Sequence, residues 1–127
     1  MEKKTILMVD DEEHLCQLVK MNLESLQRFK VIYATDPREG LRLARLHRPD
    51  LILMDLLMPY MEGSEVADQL MQSPDTDKIP IVFLTALADK NQVRSSMGTI
   101  AGRQFIAKPV TTGELVRRID EILRTSR

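Results

Sequence analysis

Five side chains that could do chemistry together fall at the ends of short apolar runs. Asp10 and Asp11 close Ile6-Leu7-Met8-Val9, and Asp55 closes Leu51-Ile52-Leu53-Met54. Thr85 follows Phe83-Leu84, and Lys108 follows Phe105-Ile106-Ala107. Apolar runs without alternation read as strands buried on both faces, hence as a parallel sheet covered by helices. Ligands of such sheets gather at the carboxyl ends of the strands. Three carboxylates in one pocket repel one another unless a cation joins them. Hard oxygen donors, with no His or Cys beside them, select Mg²⁺ or Mn²⁺, which keeps several waters and takes further oxygens from a phosphate-bearing partner. A carboxylate is also a nucleophile where the product is an aspartyl phosphate, and a metal with a lysine suits the charge that then develops at phosphorus. Asp55, on the middle strand, is best placed to attack. Lys108 could hold a phosphoryl oxygen or pair with Asp55, and Thr85 could hydrogen-bond another such oxygen.

The elements that must hold these residues alternate in kind. Strands are predicted over Thr5–Val9, Phe29–Ala34, Asp50–Met54, Ile79–Leu84 and Arg103–Ala107. The first helix begins near Glu12, with Leu15, Leu18, Val19, Asn22, Leu23 and Leu26 at helical spacing. Asp36-Pro37-Arg38-Glu39 supplies an N-cap, a proline at N1 and a capping-box glutamate, and Pro49 stops that helix after His47. Val66, Ala67, Leu70 and Met71 mark a third helix ending near Ser73-Pro74. A weaker fourth helix is predicted over Asp89–Ile100, ended by Gly102. Thr111 and Glu114 form a capping box before a last helix with Leu115, Val116, Ile119, Ile122 and Leu123 on one face. Five strands alternating with five helices make a doubly wound α/β fold. The strand order 2-1-3-4-5 would set strands 1 and 3 side by side and bring Asp10, Asp11 and Asp55 together.

Composition narrows the class. At 127 residues, 43% hydrophobic and 29% charged, the chain reads as one globular domain spanning 1–127. A net charge of -1 gives no general attraction to nucleic acid or an anionic membrane. The single cysteine, Cys16, excludes an internal disulfide and a cysteine zinc cluster, and suits a reducing cytosol; it reads as an ordinary helix residue. No apolar run approaches the roughly 20 residues that cross a bilayer, and the start lacks the form of a signal peptide. A cytoplasmic location is expected.

On these residues the chain resembles, over essentially its whole length, the receiver domain of two-component response regulators, in the manner of the chemotaxis regulators. Asp10-Asp11 match the family's magnesium-binding acids, and Asp55 the phosphorylated aspartate. Met58-Pro59, Met61 and Gly63 match the turn that follows. Thr85 matches the switch hydroxyl, Lys108-Pro109 the invariant lysine and its proline, and Phe105 the switch aromatic. The resemblance implies a flavodoxin-like five-stranded parallel (βα)5 sheet, Mg²⁺ (or Mn²⁺) held by Asp10, Asp11, Asp55 and the backbone carbonyl of Leu57, and Asp11 as the more direct ligand. It implies a phosphoryl group passed to Asp55 from a sensor histidine kinase or a histidine phosphotransfer protein. The chain would thus catalyse its own phosphorylation and slow dephosphorylation while acting mainly as a switch. Thr85 would move toward the new charge, Phe105 would turn inward, and the face of the predicted fourth helix, fifth strand and fifth helix would change for a partner to read.

Two features depart from the wider family. Arg103 and Gln104 stand where many dimerising receivers carry an acidic pair before the aromatic, so a monomer or a weak phosphorylation-dependent dimer is expected. Leu57 and Leu87, two residues after Asp55 and Thr85, cannot hydrogen-bond an attacking water, so slow decay of the acyl phosphate is expected. As a whole protein the chain would signal through a contact with a downstream effector; as a piece of one, through a C-terminal output domain. Two other classes stay open. One is a receiver-like interaction module independent of phosphorylation, whose mark would be loss of an acid, Thr85 or Lys108; all are present. The other is a phosphatase with an aspartyl nucleophile, which needs a second acid where Leu57 stands. His14 and His47, at predicted helix ends, read as surface residues.

Overall fold

The computed structural model describes residues 2–56, 58, 61–86, 99–100 and 103–125. In chain order the elements are β1 (Lys4–Val9), α1 (Glu13–Glu24), β2 (Phe29–Ala34), α2 (Pro37–His47), β3 (Leu51–Met54), α3 (Gly63–Met71), β4 (Ile81–Thr85), β5 (Thr99–Ile100), β6 (Arg103–Ala107) and α4 (Thr112–Thr125). The strands β2-β1-β3-β4-β6 are parallel neighbours, which is the expected 2-1-3-4-5 order with β6 as the fifth predicted strand. β1 explains why both faces are covered. Its Ile6 and Met8 enter one core with Cys16, Val19 and Leu23 of α1 and Leu115, Ile119 and Ile122 of α4. Its Leu7 and Val9 enter the other, with Leu41 and Ala44 of α2 and Val66, Ala67 and Leu70 of α3. Successive strand residues point to opposite faces, so an all-apolar strand feeds two cores at once.

Local chemistry sets the helix ends. Asp36 caps α2 by accepting hydrogen bonds from the N–H groups of Arg38 and Glu39 at 2.7 and 3.4 Å, with Pro37 at the first helical position. Glu39 does not close a capping box; it turns outward to form two hydrogen bonds with Arg42. At Thr111 and Glu114 half of the box is made: Thr111 Oγ1 accepts from the Glu114 N–H, while the Glu114 carboxylate accepts from the Thr111 hydroxyl rather than from its backbone N–H. Packing between layers is close enough at α2 that a Cβ on Gly40 would sit 2.7 Å from a Val9 methyl.

Three expectations are corrected. Thr99 and Ile100 are not the end of a helix but a short strand, antiparallel to β6, with Ile100 paired to Arg103. Two β-branched residues followed within two positions by Gly102 favour a strand over a helix terminus. The rest of the predicted fourth helix, residues 89–98, lies outside the described residues. Leu18 of α1 and Leu26 after it are 49% and 42% exposed, and the buried stripe of the helix is Cys16, Val19 and Leu23. Leu26 falls beyond the helix end, and Leu18 flanks the stripe, lining a cavity of about 450 Å³.

β2 is an edge strand, and such edges invite pairing with other chains. At Val31 the edge is closed by α1. The Val31 N–H donates to Glu24 Oε2 at 3.0 Å, and its carbonyl accepts from Lys20 Nζ at 2.6 Å. Lys20 and Glu24 also pair with each other at 3.1 Å.

Candidate metal and phosphoryl site

Adjacent strands bring the carboxylates together. The Asp10 N–H donates to the Ala34 carbonyl at 3.1 Å, and the Asp55 N–H donates to the Val9 carbonyl at 2.9 Å, so both strand ends are locked to a neighbour. Asp10 and Asp55 are 1% and 7% exposed, while Asp11 is exposed. Oxygens of Asp10, Asp11 and Asp55 all lie within 4.8 Å of one another. Buried carboxylates are costly unless partnered, and Lys108, arriving from the end of β6, is the cation that partners them. Its Nζ lies 2.8 Å from Asp10 Oδ2, 3.3 Å from Glu12 Oε1 and 3.9 Å from Asp55 Oδ2. Burial pulls the Lys108 ammonium toward neutrality. The hydrogen bond and charge of Asp10, then Asp55 and Glu12, outweigh it and hold its pKa above the ordinary value.

Asp10 is committed on both oxygens, since Oδ1 accepts from the Glu12 N–H at 2.9 Å while Oδ2 takes Lys108. Beneath it, Cys16 is fully buried and its thiol donates to the Asp10 carbonyl at 3.4 Å. Burial, followed by the charge of Asp10, pushes that thiol up to about 12, so it is a packing and hydrogen-bonding group. On the other side of the sheet, α3 begins with Gly63 against Asp55. A Cβ on Gly63 would overlap the Asp55 carbonyl oxygen, and the Gly63 N–H donates to the Leu56 carbonyl at 2.8 Å.

Of the remaining expected site residues, Thr85 ends β4 opposite Ala107, which puts its backbone one residue from Lys108 in register; its side chain lies outside the described residues. Leu57, with its expected ligand carbonyl, and Leu87 also lie outside them. Phe105 is half-buried, its ring 5.3 Å from that of Phe83 and tilted by 32°. Arg103 crosses the Phe83 ring at 5.7 Å and pairs with Asp68 of α3 at 2.7 Å. Gln104 accepts from Arg118 at 2.8 Å. His14 and His47 are exposed, in the first turn of α1 and at the last residue of α2. Sequence reasoning missed the Glu12–Lys108 pair. The only available signal was a carboxylate adjoining Asp10-Asp11.

The donor set fits a hard divalent cation. It has three carboxylates of which one is exposed, no His or Cys among the ligating groups, and one ammonium to offset three negative charges. Among the described residues no helix is long and apolar enough to cross a membrane.

Residues 6–120 match the sequence family described as the response regulator receiver domain. The chain is 37% identical to the alkaline phosphatase synthesis transcriptional regulatory protein PhoP of Bacillus subtilis, a match covering 97% of this chain and 50% of that protein. It is 33% identical to a probable transcriptional regulator, ycf27, of Porphyridium aerugineum over 98% of this chain and 50% of that one. The chain therefore spans about half the length of these curated relatives. Its fold superposes on the chemotaxis response regulator CheY4 of Vibrio cholerae with a TM-score of 0.80 at 26% identity, covering 95% of this chain and 99% of that one.

Proposed function

This chain belongs to the response regulator receiver family, and from that premise we propose that it accepts a phosphoryl group on Asp55 as a single receiver domain over residues 1–127. The observation that carries the reading is the convergence of Asp10, Asp11 and Asp55 within 4.8 Å, with Lys108 reaching across Asp10 toward Asp55. The donor is a phosphohistidine of a sensor histidine kinase or phosphotransfer protein. An Asp55 carboxylate oxygen forms the new P–O bond as the P–N bond breaks, and that bond's electron pair leaves on the imidazole nitrogen. Lys108 offsets charge on the phosphoryl oxygens, and Thr85 is the hydroxyl that turns toward them. Asp11, Asp55 and the Leu57 carbonyl would hold Mg²⁺ directly, with Asp10 acting through water, and the bound ion would neutralise the acids and the incoming phosphoryl charge.

Phosphorylation then acts as a switch. New charge at Asp55 draws Thr85, Phe105 packs further against Phe83, and the face built on β6 and α4 changes for its partner. That partner is a protein effector or an output domain in a cytoplasmic pathway; the chain's balanced charge favours neither nucleic acid nor membrane as a direct target. The test is intact-mass spectrometry after incubation with acetyl phosphate and Mg²⁺. One phosphoryl group should add to the wild type and none to Asp55→Asn or to wild type in EDTA. Equal labelling of Asp55→Asn would refute the assignment.

A further inference from the structure

Glu12 occupies the N-cap position of α1, where a side-chain oxygen ordinarily accepts from the N–H groups of the first turn. It makes no such bond. Its carboxylate instead reaches 96 residues along the chain to Lys108, at 3.3 Å. Its own N–H is fixed by Asp10 at 2.9 Å, so the backbone of Glu12 is anchored in the pocket while its side chain is 64% exposed.

The three distances from Lys108 have an order with consequences. An ammonium carries three N–H donors. Asp10 at 2.8 Å and Glu12 at 3.3 Å are within hydrogen-bond reach; Asp55 at 3.9 Å is not. A phosphoryl group on Asp55 would set its oxygens between Asp55 and Lys108 and draw the ammonium away from its present partners, Asp10 and Glu12. The Asp10 contact is buried and short, whereas the Glu12 contact is solvated, and an exposed pair is weak and readily broken. Glu12 and Lys108 also stand together at the polar end of the cavity between α1 and the segment before α4, whose other walls include Leu15, Leu18, Val110 and Leu115. Glu12 thus borders the solvent side of Lys108, which is itself only 14% exposed.

We propose that Glu12 is a positioning residue, a detachable tether that keeps Lys108 on the Asp10 side of the pocket and lets go as the phosphoryl group arrives at Asp55. The tether rests on the reading of Lys108 and Asp55 given above. It slows phosphorylation of the isolated domain and gives a partner a single exposed contact through which to free the lysine.

The experiment compares wild type with Glu12→Gln, Glu12→Ser and Glu13→Gln. Glu13 is the neighbouring acid and, among the described residues, makes no bond to Lys108, so its variant removes the same charge without touching the tether. The first readout is competitive acetylation of Lys108, followed by peptide mass spectrometry, which needs no phosphorylation. Both Glu12 variants should raise Lys108 reactivity by roughly two- to fivefold, the size an exposed ion pair can impose, and Glu13→Gln should leave it alone. The second is phosphorylation across a range of acetyl phosphate concentrations. Release of a tether raises the saturating rate at unchanged KM, whereas relief of repulsion toward an anionic donor lowers KM in Glu12→Gln and Glu13→Gln alike. Glu12→Ser offers a capping hydroxyl, so its Tm should hold or rise while Lys108 becomes more reactive. Unchanged Lys108 reactivity in both Glu12 variants, or a Glu13→Gln effect equal to that of Glu12→Gln, overturns the tether. Faster acetylation in a protein that takes no phosphoryl group overturns the functional reading and upholds the tether.

Discussion

Gly63 lies so close to Asp55 that its missing side chain is part of the site. The first residue of α3 packs against the Asp55 carbonyl, and any Cβ there would overlap the oxygen and crowd the Met54 side chain at 3.0 Å. The strand end carrying the acid is therefore held from both sides: by the Val9 carbonyl through the Asp55 N–H, and by the start of α3.

Gly63→Ala should therefore displace either α3 or the Asp55 backbone. Overpacking of this kind costs about 1–3 kcal/mol, read as a lowered urea midpoint, and phosphorylation should slow beyond what that loss of stability explains. A variant with wild-type stability and labelling rate would show that α3 yields freely and that Asp55 is not held by it.

The parts of this site legible in the sequence were those in which residue type and strand end coincide. Asp10, Asp11, Asp55 and Lys108 each follow an apolar run, and parallel topology then leaves them nowhere else to meet. Contacts made by side chains that leave their own element were not legible. Glu12 abandons a helix cap for Lys108, and Cys16 of α1 lies under Asp10 and bonds its carbonyl. Thr99-Ile100 misled for a related reason. Spacing along the chain carries no sign of the strand they pair with, and a two-residue strand has no period of its own.

Metal affinity should separate the two adjacent acids. Asp10 already has both oxygens engaged, whereas the Asp11 carboxylate is exposed and free to bind directly. Asp10→Asn should weaken Mg²⁺ on the order of tenfold, as loss of a group acting through water does, and Asp11→Asn clearly more. In EDTA, Asp11→Asn should raise the Tm, because one of three mutually repelling charges is gone. Calorimetric titrations that rank the two variants the other way would reverse their roles.

The closed edge at Val31 has a pH signature. The hydrogen bond from the Val31 N–H, together with the hydrogen bond and charge of Lys20, outweighs burial and holds the Glu24 carboxyl below its usual range. A depressed folded-state pKa contributes stability that is present above the unfolded value, near 4.5, and lost as pH falls through the folded one. Glu24→Gln should cost on the order of 1 kcal/mol at pH 7, given a partly exposed charged hydrogen bond. The gap to wild type should narrow steadily below pH 4.5. Urea titrations giving a constant gap from pH 7 to pH 3 would locate the stabilisation elsewhere.

Assembly is the remaining test, and here the positions before the aromatic decide it. A dimer joined through β6 and α4 needs acids and bases that are available to cross between copies. In this chain Arg103 is engaged with Asp68 of α3 at 2.7 Å. Arg118 is held within the same molecule by Gln104 at 2.8 Å, Glu121 at 3.2 Å and the Phe105 carbonyl at 3.4 Å. Its side chain is only 12% exposed, so pairing it with another copy would first require breaking contacts already made. Gln104 also carries no charge to draw a partner's base. The unphosphorylated chain should therefore be monomeric by light scattering at concentrations up to about 100 μM, a Kd range that corresponds to less than roughly 5.5 kcal/mol of association. In the proposed switch, phosphorylation moves Phe105, whose carbonyl Arg118 contacts, and so loosens that arginine; a weak dimer should then become measurable. Gln104→Glu should oppose it by exchanging the neutral partner of Arg118 for a charged one and holding the arginine at home. A tight dimer before phosphorylation, or stronger dimerisation of phosphorylated Gln104→Glu than of wild type, would show that Arg118 is not what limits assembly.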